Sequence, residues 1–169
     1  MIKTVGVIGA SPMGKEIAHL FALHGFAVIL CDISDSHINA SLATIRKKLE
    51  RQVHSGIISA SDAGVIAGRI EATKIFTDLS EADFIVEAVS DDEVLKIAIF
   101  RALDEIARPG VVLATVTSPT TQITRIAAAT GRPELVIGIR LMNPEPDMSF
   151  VEVSHGRATN SWPLPQQRR

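Results

Sequence analysis

The chain has 169 residues, is 46% apolar and carries a formal net charge of -2. That length suits one domain with a sizeable core, and the near-balanced charge gives no electrostatic case for nucleic acid or an anionic membrane as a partner. The single cysteine, Cys31, rules out an internal disulfide and points to a reducing, cytoplasmic setting. The apolar run over residues 5–8 is too short for a signal peptide or a membrane span.

In chain order, residues 2–8 form a short, β-branched, buried strand. Pro12 suits the first turn of a helix, where its missing N–H costs nothing. Ile17, Leu20, Phe21 and His24 recur at helical spacing up to Gly25. Residues 26–31 form a second apolar strand that ends at Asp32. Ser34 or Asp35 caps the next helix, which carries Ile38, Leu42, Ile45, Leu49 and Val53 on one stripe and stops at Gly56. A short helix is predicted over residues 59–68 and a weaker strand over 70–76.

The second half repeats the alternation. A strand over residues 83–89 leads to a helix over about 92–107, with Leu95, Ala98, Ile99, Ala102 and Ile106 as its apolar face. Pro109-Gly110 marks a turn before a strand over 111–116. A helix over 121–129, a strand over 135–141 and a short strand over 150–153 complete the series. Residues 156–169 are polar, hold Pro163 and Pro165, and read as a tail that follows a domain over 1–155. Apolar strands alternating with helices predict an α/β fold of the Rossmann type: one doubly wound domain with a mostly parallel sheet.

The segment VGVIGASPMGKEIA, residues 5–18, carries most of a dinucleotide fingerprint. That pattern needs three glycines between a strand and a helix, and an acid about 20 residues on. Gly9 permits the tight turn, and Gly14 lets helix and strand pack closely. The helix N-terminus, which includes Met13, offers N–H groups and a positive dipole end to a pyrophosphate. Asp32 suits the adenosine ribose hydroxyls and repels a 2′-phosphate, which favours NAD over NADP. Ser11 stands where the middle glycine belongs. With a positive φ it would cost about 1–2 kcal/mol in strain; its hydroxyl can offset part of that by donating to a phosphate oxygen.

Three stretches, VGVIGASPMG, EAVSDDEVLKIAIFRALDEIARPGVVLATVTS (residues 87–118) and VIGIRLMNPEPDMSFVEV (136–153), together resemble the NAD-binding domain of the L-3-hydroxyacyl-CoA dehydrogenases, with 3-hydroxybutyryl-CoA dehydrogenases close by. The resemblance runs from about Lys3 to Thr159. It implies an oxidoreductase of fatty-acid metabolism that moves a hydride between C3 of a 3-hydroxyacyl-CoA and NAD. It further implies that Ser118 contacts the substrate oxygen, that Glu152 orients the catalytic base, that Asn143-Pro144 follows that base, and that Glu87-Ala88 lies on the nicotinamide side. The base itself is a histidine in the family, and Arg140 stands in its place. Val116 stands where the family has asparagine. Arginine keeps its charge, with a pKa above about 12, and so cannot take a proton near neutral pH as histidine does. Arg140 and Glu152 are expected to form an ion pair instead.

The family continues into a helical C-terminal domain of roughly one hundred residues, which closes over the acyl chain and supplies a dimer interface. Here the match fades after Thr159. Two readings stay open: an NAD-dependent 3-hydroxyacyl-CoA dehydrogenase, impaired as this chain alone, and a catalytically inactive relative that binds NAD or a partner. The first implies an acyl-CoA substrate and either a homodimer or a partner chain that supplies the further domain. Arg46, Lys47, Lys48 and Arg51 read as a solvated helix face, Cys31 as a small core residue, and His155 as a weak substitute base. The five histidines show no metal-ligand spacing, so no metal is expected.

Overall fold

The computed structural model describes residues 1–117, 123–142 and 150–159. The predicted alternation is present: β1 (Thr4–Ile8), α1 (Pro12–Leu23), β2 (Ala27–Cys31), α2 (Asp35–His54), α3 (Ala60–Gly68), β3 (Ile70–Thr73), β4 (Phe84–Glu87), α4 (Glu93–Ile106), β5 (Val112–Val116), α5 (Ile123–Ala128), β6 (Val136–Met142) and β7 (Phe150–His155). The strands form one seven-stranded sheet in the order β3-β2-β1-β4-β5-β6-β7. Every pairing is parallel except β6 with β7.

Both faces of the sheet are covered, which is why its inner strands are apolar without alternation. On one face Val5, Val7, Val28, Leu30 and Val86 pack against Ile17, Ala18 and Ala22 of α1 and Ile38, Ile45 and Leu49 of α2. On the other, Ile85, Leu113 and Val136 meet Phe100 and Leu103 of α4 and Ile126 of α5. The sequence of neighbours reverses between β1 and β4. In such sheets the crevice at the carboxyl ends of the strands, at this switch point, is where ligands sit.

The structure corrects several expectations. The stripe that α1 buries is Gly14, Ile17, Ala18, His19 and Ala22, while Leu20 and Phe21 are half-buried and His24 is exposed. Small residues win this face because they let α1 lie close to the sheet. The face of α4 is shifted as well: Lys96, Phe100 and Leu103 are buried, whereas Leu95 and Ala98 are exposed. Phe100 anchors the helix, and Lys96 follows it inward because its ammonium finds acceptors there. The strand expected over 70–76 ends at Thr73, and a 3-10 turn takes over at Phe76–Glu81. The last strand is longer than expected and reaches His155. No helix among the described residues is long and apolar enough to cross a membrane.

The start of the sheet is fixed by one carboxylate. Asp83 Oδ2 accepts the backbone N–H of Lys3 at 2.8 Å and of Thr4 at 3.0 Å, and its Oδ1 accepts from Arg108 at 2.8 Å. The two backbone donors, helped by Arg108, pull its pKa down to about 2. A depressed carboxyl stabilises the fold above its unfolded value, near about 3.9, and that contribution disappears as the pH falls through the folded value. Asp83→Asn is therefore expected to cost about 1–2 kcal/mol at neutral pH. The gap to the unsubstituted chain should close between about pH 4 and pH 2, as read from denaturant unfolding at each pH.

Candidate functional site

The carboxyl ends of β1, β2, β4 and β5 open on a cleft of about 1010 Å³, walled by Gly9, Ser11, Met13, Asp32, Ala88 and Val116 among others. Two glycines shape its floor. Gly9 has φ +94°, and a Cβ there would lie 3.0 Å from the Ala88 carbonyl oxygen. Gly14 is more constrained still: a Cβ would fall 1.8 Å from the Gly9 carbonyl oxygen. No side chain fits, so α1 can begin this close to the end of β1 only with glycine at that place.

Ser11 takes a conformation other than the one that would strain it. Its φ is -71° and its ψ 172°, ordinary extended backbone. It is the N-cap of α1: its Oγ accepts the Gly14 N–H at 3.0 Å and donates to the Ala88 carbonyl at 2.6 Å. The hydroxyl thus ties the first loop to the end of β4 and is not turned toward a ligand. The first-turn N–H groups of a helix have no intrahelical acceptor. Here Pro12 has none to offer and the cap takes that of Gly14, which leaves the N–H of Met13, a residue of the cleft wall, without an intrahelical acceptor.

Asp32 is held from several sides. Its Oδ2 accepts the Ala10 N–H at 2.7 Å, its Oδ1 accepts the Ser34 N–H at 2.8 Å, and His37 Nδ1 stands 3.5 Å from Oδ1. These contacts fix the carboxylate at the cleft wall and leave lone pairs for ribose hydroxyls. The Ala10 carbonyl accepts from the buried Ser41 hydroxyl at 2.8 Å, so α2 also fixes the loop. Ile33, 94% exposed at the cleft wall beside Asp32, offers an apolar surface to a planar base. Ser41, Ile33 and His37 carry no motif of their own, and the sequence pattern did not single them out.

Glu87 lies beneath the cleft, not in its wall. It is fully buried, with its carboxylate 2.8 and 2.9 Å from Lys96 Nζ. It also accepts from Thr115 Oγ1 at 2.6 Å and from the Val89 N–H at 2.7 Å. Lys96 donates further to the Val116 carbonyl at 3.0 Å. Two buried charges are tolerated because each is saturated with partners. The cluster pins the ends of β4 and β5 to α4 and so sets the position of Ala88, Val89 and Val116 in the wall above. Cys31 is buried too. Burial and the neighbouring charges of Asp32 and Asp78 raise its thiol to about 11, which keeps it protonated and inert.

Arg140 and Glu152 face each other across β6 and β7, with Nη1 3.5 Å from Oε2. They are 40% and 52% exposed, so the pair is worth at most about 1 kcal/mol. His155 is three residues from Glu152 on the same strand and projects to the opposite side of the sheet. Ser118 and Asn143 lie outside the described residues. Of the expected residues, the structure gathers Gly9, Ser11, Met13, Gly14 and Asp32 at one cleft; it sets Glu87 under that cleft and puts Arg140 with Glu152 on the outer strands. Among the described residues no group of three or more His, Cys, Asp or Glu is placed to hold a metal ion.

The family model described as 3-hydroxyacyl-CoA dehydrogenase, NAD binding domain matches residues 4–165. The 3-hydroxybutyryl-CoA dehydrogenase of Bradyrhizobium diazoefficiens is 42% identical over 160 residues, which are 95% of this chain and 54% of that protein. The 3-hydroxyadipyl-CoA dehydrogenase of Escherichia coli is 37% identical over 94% of this chain and 33% of its own length. Among solved structures, the (S)-3-hydroxybutyryl-CoA dehydrogenase of Ralstonia eutropha superposes with a TM-score of 0.91 at 34% identity, over 95% of this chain and 56% of that one. The chain spans about half the length of the 3-hydroxybutyryl-CoA dehydrogenases it matches.

The loop geometry fits a dinucleotide, with a cradle that any Cβ at Gly14 would fill and an anchored acid at the ribose end. Ser11→Gly removes the cap but frees the Gly14 N–H for a phosphate oxygen. It is expected to tighten NADH binding by about threefold or more while lowering stability by roughly 1 kcal/mol, measured by calorimetry and by denaturant melts. Gly14→Ala is expected to weaken both, with a stability loss of at least about 1–3 kcal/mol.

Proposed function

Because the chain belongs to the family of 3-hydroxyacyl-CoA dehydrogenase NAD-binding domains, with NAD as its cofactor, we propose that it forms the cofactor half of an enzyme that moves a hydride between NAD and C3 of a 3-hydroxyacyl-CoA. The observation that carries this is the cradle itself: Gly14 against the Gly9 carbonyl, with Asp32 fixed by Ala10 and Ser34 at the other end. NAD, when bound, supplies the hydride acceptor. The chain's own residues hold it: Met13 offers a backbone N–H to the pyrophosphate, Asp32 takes the ribose hydroxyls, and the Glu87–Lys96 pair keeps the nicotinamide wall in place. A fatty-acid metabolic role in a reducing, cytoplasmic setting follows the same reading and suits a lone buried thiol.

A second reading, of a cofactor-binding relative without turnover, is favoured by Arg140. A general base must accept a proton near the working pH, and the guanidinium at this position stays charged. Its partner Glu152 would have oriented an imidazole; here it neutralises a cation. We take the two readings as degrees of one property. The chain binds NAD by its loop and is slow in proton transfer at Arg140.

Titration calorimetry with NADH is expected to show binding below millimolar concentration, and no heat in that range would overturn the cofactor reading. With acetoacetyl-CoA and NADH, turnover is expected to fall about 10²–10⁴-fold short of a histidine-bearing relative. Arg140→His is expected to raise the rate without reaching the relative's level. A wild-type rate within about tenfold of that relative would refute the assignment of Arg140 as the missing base.

A further inference from the structure

Asp32 is the residue expected to exclude a 2′-phosphate, yet its charge is not alone. His37, in the first turn of α2, lines the same cleft. Its Nδ1 stands 3.5 Å from Asp32 Oδ1, and its side chain is 67% exposed while that of Asp32 is 11% exposed. The backbone fixes the ring's root, since the His37 N–H donates to the capping Ser34 Oγ at 3.3 Å. The other charges near this end of the cleft are largely committed. Glu16 is held by Lys48 at 2.6 Å, and Asp35 by Lys74 at 2.8 Å. Lys15 lines the cleft as well. His37 is thus the ionisable side chain that stands directly beside Asp32 at this end of the cleft, with its ring largely in solvent.

We propose that His37 sets the selectivity of this cleft between NAD and NADP. It does so by deciding whether Asp32 presents an uncompensated carboxylate to the 2′ position of the adenosine ribose. A neutral imidazole leaves the negative charge of Asp32 exposed to a 2′-phosphate, and two anions within a few ångströms repel. A protonated imidazole pairs with Asp32, cancels that repulsion and adds a donor that a phosphate oxygen can accept. NADH has no 2′-phosphate, so its binding depends far less on the state of His37. The proposal rests on the NAD-binding reading of the loop and goes further by assigning a specificity role to a residue outside the fingerprint.

The test is a pair of titrations on the full chain, NADH and NADPH, at about pH 8 and about pH 5.5, followed by calorimetry and by nicotinamide fluorescence. The same set is run on His37→Gln, after thermal melts show that it is folded. In the unsubstituted chain the NADPH-to-NADH ratio of Kd is expected to fall on acidification by about fivefold or more beyond the change in His37→Gln. That variant also absorbs any change due to titration of the cofactor's own phosphate. His37→Arg is expected to admit NADPH at the higher pH too. An equal change in ratio for the unsubstituted chain and His37→Gln, with NADH still bound, would overturn the role of His37 alone. Absence of NADH binding at both pH values would overturn the cofactor reading and this proposal with it.

Discussion

The site depends on one close approach. The Gly9 carbonyl oxygen lies where a Cβ of Gly14 would have to sit, 1.8 Å from its ideal position. Because no side chain intervenes, the first turn of α1 abuts the end of β1 and its dipole end points into the crevice at the switch point. The rest of the cleft is arranged around that contact. Ala10, one residue past Gly9, gives its N–H to Asp32 and accepts from Ser41, so the loop is tied to β2 and α2 at once. Ser11 ties it to β4. A loop held by three neighbouring elements is preorganised, and preorganisation lowers the entropy that a bound dinucleotide must otherwise cost.

Ser11 illustrates how a motif departure can be absorbed. Counted as a missing glycine, it predicts strain. In the fold its backbone is extended and its hydroxyl makes two hydrogen bonds, one as a helix cap and one to the opposite lip of the cleft. The effect on a cofactor comes from elsewhere. The cap occupies the Gly14 N–H, and Pro12 contributes none, so fewer backbone donors remain for a phosphate than an open first turn would provide.

Much of this was legible in the residues. The β-branched runs of β1, β2, β4 and β5 have no other use than a buried parallel sheet, and Gly9, Gly14 and Asp32 carry a spacing whose physical reasons are known. What escaped is what periodicity counts wrongly. Lys96 counts as polar, so periodicity alone gives α4 the face of Leu95 and Ala98. Its ammonium in fact lies inside, because Glu87 and Thr115, nine and nineteen residues away, wait there. Ala18 and Ala22 of α1 escape a count that favours larger apolar residues, although closeness to the sheet demands small ones. His37 belongs to no motif. Its relation to Asp32 exists only once β2 and α2 are folded against each other.

β7 closes one edge of the sheet and is its antiparallel strand, paired with β6. Side chains alternate faces along a strand, so a slip of one residue would move every side chain of β7 to the other side of the sheet. In the observed register Arg140 meets Glu152, with Ile139 against Val153 and Leu141 against Val151 on either side. A slip would set a valine opposite the guanidinium and leave the carboxylate among apolar neighbours. The ion pair thereby adds to the pairing of Ile139 with Val153 and of Leu141 with Val151 in favouring this register.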